Sequence, residues 1–154
     1  MIAIADRPGW EFPLFVHVLG AMLLVGLLLA VLFALLAAAR RSDTPAQLTL
    51  TRFAFRTLLI GVLPSWVIML AGATWTEVEA PFDEEAGWIM IGRVIAEPIG
   101  LLGFILATLF TGLAARRLKS DSGSSGFVRA STVFTTILVL AYLVAIFAMT
   151  TKPD

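Results

Sequence analysis

The chain has 154 residues, 59% of them hydrophobic and 14% charged, with no net charge and a mean hydropathy of +0.95. Soluble domains carry roughly a quarter charged residues and under half apolar ones, so these figures exclude an ordinary water-soluble fold and leave one small membrane domain. The absence of cysteine rules out disulfides, thiolate metal sites and iron–sulfur clusters, and the single histidine rules out a multi-histidine metal site or an internal bis-histidine haem.

A bilayer core of about 30 Å takes ~20 apolar residues of helix, and four stretches qualify. Met1 to Pro13 holds Arg7 as its one basic residue beside Asp6 and Glu11, and the apolar run behind it is far longer than the ~7–15-residue apolar core of a signal sequence. It reads as a retained first span, Phe12 to Ala39, with Pro13 suited to a first helical turn. The second span is apolar from Leu58 to Trp75. Thr44-Pro45-Ala46-Gln47 has the form of a capping box, which predicts an amphipathic lead-in on the membrane surface over Pro45–Arg56. The third span runs from Trp88 to Ala115 and the fourth from Phe127 to Thr150, joined by a flexible Ser120–Gly126 linker. The fold class expected is an all-α four-helix transmembrane bundle forming one domain over residues 1–154.

Lysine and arginine set the expected orientation. Arg40, Arg41, Arg52 and Arg56 lie between spans one and two, and Arg116, Arg117, Lys119 and Arg129 between three and four. The connection over residues 76–87 has no basic residue and carries Glu77, Glu79, Asp83, Glu84 and Glu85. Positive-inside logic places the basic loops, 40–57 and 116–129, in the cytoplasm and the acidic loop outside, with both termini outside a cell (inner) membrane. Trp10, Trp75 and Trp88 then fall at the outer boundary, where indoles anchor.

Helices in lipid approach each other through small residues. Such stripes are Gly26, Ala30, Ala34 and Ala38 in the first span, Gly61, Ser65 and Gly72 in the second, and Ala141, Ala145 and Ala148 in the fourth. The third carries the longest, Gly92, Ala96, Gly100, Gly103, Ala107, Thr111 and Ala114. Pro64 and Pro98 free the carbonyls of Ile60 and Val94 and predict two kinks.

Three ionisable residues fall inside the spans: His17, Arg93 and Glu97. Charge at this depth is costly and marks a partner or a cavity. Arg93 and Glu97 are four apart, so their side chains can meet, and all three lie in the outer half of the bilayer. They make an intramembrane polar cluster, with His17 as a metal or haem ligand or proton carrier and Arg93 able to pair an anion such as a haem propionate. The same residues also admit a structural reading, with Arg93 snorkelling, Glu97 neutralising it and His17 bonded to a neighbouring helix. Thr74, Trp75 and Thr76 end the second span at similar height, while Tyr142 reads as a packed residue whose hydroxyl meets a carbonyl. No catalytic motif, EF-hand or aromatic–basic nucleic-acid surface is present.

His17-Val-Leu-Gly20-Ala-Met-Leu-Leu-Val-Gly26, Leu63-Pro64 with Gly72, and Trp88 together resemble small bacterial four-helix membrane proteins related to the copper resistance protein D family, and an uncharacterised group of the same layout. That resemblance implies a four-helix bundle and, from haem-binding members of this neighbourhood, a b-type haem on span histidines. With one histidine here, bis-histidine ligation would require two chains. Met22, Met69, Met90 and Met149 show no clustering of the kind copper transport requires. The leading expectation is a non-enzymatic accessory or structural subunit of a larger membrane assembly, in contact with lipid and with a membrane partner or a second copy. The alternatives are a haem- or metal-binding electron- or proton-transfer module using His17, and a component of an oligomeric channel or transporter.

Overall fold

Apolar sequence in lipid must satisfy every backbone hydrogen bond internally, and a helix does so within one segment. The computed structural model describes residues 9–79, 87–120 and 125–151, and among these the regular structure is helical throughout. Helix α1 spans Glu11–Ala39, α2 Thr44–Thr57, α3 Leu63–Glu79, α4 Gly87–Val94, α5 Gly100–Lys119 and α6 Ser125–Thr151. Wide π turns, Leu58–Val62 and Ile95–Ile99, join α2 to α3 and α4 to α5 without a break. Four continuous helices result, each long and apolar enough to cross a membrane. Residues 80–86 of the acidic connection and 121–124 of the linker lie outside the described residues.

Neighbours in sequence are neighbours in space. α1 packs on α2 and α3, α5 on α6, α6 back on α1, and α2 on α5, closing an antiparallel ring. Leu24, Leu28, Val31, Leu35, Leu58, Val62 and Leu138 fill its centre, all at most 1% exposed. A second small cluster, Ala38, Ala114 and Val128, closes the arginine-bearing end.

The surface lead-in expected over Pro45–Arg56 is corrected. Thr51 and Ala54 are fully buried, because α2 stands within the bundle between α1 and α5. Its cap is Asp43 rather than Thr44: the carboxylate accepts the Ala46 N–H at 3.3 Å. Gln47 ties the turn down by donating from Nε2 to the Ala38 carbonyl at 3.1 Å.

The prolines act through the π turns. Pro64 follows the first and Pro98 lies inside the second. The wider turn moves the ring away from the carbonyl it would strike in an α-helix. At the second turn the Ala96 carbonyl accepts the Trp66 indole N–H at 2.8 Å, linking α3 to the third span.

Candidate functional site

Two glycines decide where His17 sits. A Cβ on Gly20 would lie 2.5 Å from the Met69 backbone nitrogen, and one on Gly72 would lie 2.7 Å from the His17 Cα. At both points α1 and α3 touch backbone to backbone, as small residues in lipid permit. The His17 ring is thereby held half-buried in the seam, with Nδ1 2.9 Å from the Met69 carbonyl oxygen. A carbonyl only accepts, so Nδ1 carries the proton and, in the neutral ring, Nε2 keeps its lone pair.

The hydroxyls near His17 serve their own helix. Thr76, buried, donates to the Gly72 carbonyl at 2.7 Å, and Thr74 donates to the carbonyls of Leu70 and Ala71 at 3.1 Å each. Trp75 is 47% exposed and meets Phe12 edge-on at a centroid distance of 5.8 Å. These three residues cap the α1–α3 seam, and both hydroxyls among them are already bonded.

Arg93 reaches across helices instead of along its own. Its Nη2 bonds Glu77 Oε2 at 2.8 Å, tying α4 to the end of α3, with both side chains substantially exposed. Sequence spacing favours Glu97 as the partner, but the guanidinium takes the Glu77 carboxylate at the end of α3, and Glu97 lies within the π turn without it. Glu77, counted with the acidic loop, supplies the carboxylate.

Glu97 itself is exposed on the outer surface of the second π turn, and its carboxylate forms no hydrogen bond or ion pair among the described residues. It lies nine residues past Trp88, roughly 13 Å along a helix. Met90, Val94, Leu101, Ile105 and Leu109 share its side of the helix at three- to four-residue spacing, and all are exposed. The result is one carboxyl set in an apolar stripe.

On the inner side of the same turn, Tyr142 is buried at 5% exposure. A Cβ on Gly100 would collide with its hydroxyl, and would also lie 3.4 Å from the Trp66 indole nitrogen. Packing of Tyr142 follows the expectation, but its polar neighbour is an indole where the sequence suggests a carbonyl. Sequence pattern does not single out Trp66. The signal it offers is an indole donor in the span next to one whose proline frees a carbonyl.

His17, Arg93 and Glu97 are therefore distributed over three settings: a helix seam, an interhelical ion pair and an outward face. Among the described residues no three His, Asp or Glu side chains gather closely enough to hold a metal ion. Comparison of the chain with protein-family models, with curated proteins and with solved structures returned no match.

Proposed function

We propose that this small polytopic membrane protein is a non-enzymatic subunit that docks a partner transmembrane helix against the Glu97 face of its third span. The carrying observation is Glu97, exposed and unpaired among the described residues within an apolar stripe. A charged side chain facing hydrocarbon costs about 3 kcal/mol on insertion scales. A partner helix offering a lysine, an arginine or a hydrogen-bond donor at that depth removes the cost. The orientation in this reading has the basic connections in the cytoplasm and both termini outside the cell membrane. The resemblance to copper resistance protein D-like membrane proteins belongs to the same proposal, which it supports through layout alone.

The test places a photoreactive amino acid at Leu101, one turn from Glu97, and at Leu140 on α6 as a control in native membranes. The Leu101 probe is expected to capture one constant membrane partner, with yield falling several-fold on Glu97→Ala. Capture equal from both positions, or a chain that stays monomeric at native expression, would overturn it.

A second reading has one specific observation in its favour. Bonding of Nδ1 to a carbonyl is the usual way a ligating histidine is oriented, and it leaves Nε2 for a haem iron or a metal. The fit is incomplete: the described residues bring no second ligand to His17, and Glu77 already holds the guanidinium that would meet a propionate. Oxidised and reduced absorption spectra of the purified chain beside His17→Ala decide this reading, which requires a Soret band lost in the variant.

A further inference from the structure

At the end of the bundle opposite Trp75 and Trp88, a groove of about 440 Å³ opens between α2 and α5. Arg52 and Arg56 line it from α2, and Arg116 and Lys119 from α5. All four are exposed, and none has an ion-pair partner among the described residues. The acid described at this end, Asp43, is occupied in capping α2. Beside the cations the walls turn apolar, with Phe55, Leu109 and Leu113. Gly112 opens the space there: a Cβ would come 3.1 Å from the Phe55 ring. Thr108 contributes to the groove wall at its inner end.

We infer that this groove is a binding site for an anionic phospholipid, with the phosphate among Arg52, Arg56, Arg116 and Lys119 and an acyl chain along Phe55, Leu109 and Leu113. A cationic mouth beside an apolar wall selects an amphiphile over a free ion. Basic pockets between membrane helices recognise acidic headgroups in this way. Thr108 lies two turns before Arg116 on the same helix and marks the inner end of the groove. The lipid fills the space between α2 and α5 that the two helices leave open. Leu109 is common to the groove wall and to the apolar stripe around Glu97, whereas the four cations and Thr108 belong to the groove alone.

Native mass spectrometry of the purified full chain tests the inference, titrating dioleoylphosphatidylglycerol against dioleoylphosphatidylcholine, with an inorganic phosphate arm. Phosphatidylglycerol is expected to bind at least about tenfold more tightly than phosphatidylcholine, since each cation near a headgroup contributes appreciably. Arg52→Gln with Arg56→Gln should abolish that preference. Arg40→Gln with Arg41→Gln removes the same charge outside the groove and should leave it intact. Equal binding of the two lipids, equal losses in both arginine pairs, or phosphate binding as tightly as phosphatidylglycerol would each overturn the inference.

Discussion

Gly72 and Gly26 lie in small-residue stripes of similar appearance, yet they occupy opposite environments. Gly72 has the His17 backbone against it, whereas a methyl added at Gly26 would find nothing within 4 Å. Adding a methyl where backbone meets backbone forces two helices apart, a strain of about 1–3 kcal/mol. Gly72→Ala should therefore lower the thermal unfolding temperature in detergent and weaken the His17–Met69 bond. Gly26→Ala should be neutral or slightly stabilising, because alanine is the better helix former by about 1 kcal/mol. Equal effects would show that the α1–α3 seam is not where the glycines are needed. Gly20, part of the motif around His17, proves to be the second contact point of that seam.

At the scale of elements, hydropathy and length make the helices legible. The observed ends fall within a few residues of those expected for α1, for the continuous third helix Gly87–Lys119 and for α6, because each begins or stops where polar residues take over. The third-span stripe is legible too: Gly92, Gly100, Ala107, Thr111 and Ala114 are all buried, and the Thr111 and Ser131 hydroxyls meet across α5 and α6. The place of α2 is not legible, since an amphipathic segment of modest hydropathy suits a membrane surface as well as a bundle flank. Local spacing also does not reveal the π turns, the second of which contains Glu97, nor the choice of Glu77 as the partner of Arg93. Trp66 carries the main consequence. Trp66→Phe removes the indole bond to the Ala96 carbonyl, and should cost about 1 kcal/mol by analogy with interhelical bonds in other membrane proteins. Thermal unfolding of the two proteins in the same detergent checks it; no change would mean the indole bond contributes nothing net.

For the whole molecule, the ring of four antiparallel helices gathers Arg40, Arg41, Arg52, Arg56, Arg116, Arg117, Lys119 and Arg129 at one end and sets the Arg93–Glu77 pair at the other. Between them Glu97 interrupts an apolar outer stripe. Orientation is testable because the chain has no cysteine. Val78→Cys should react with an impermeant maleimide in intact cells, and Ser42→Cys only after permeabilisation. The reverse pattern would invert the proposed topology. His17, the most conspicuous residue of the sequence, is held in a seam by the Met69 carbonyl, whereas Arg93, the partner that spacing offers Glu97, is bonded to Glu77.

The docking claim is tested most directly by dicyclohexylcarbodiimide, an apolar reagent that modifies carboxyl groups reachable from lipid. Labelling of the Glu97 peptide would be quantified by mass spectrometry in native membranes and on the purified chain. A partner seated on this face predicts strong labelling of the purified chain and several-fold protection in native membranes. Equal labelling in both would contradict it, leaving Glu97 facing lipid alone.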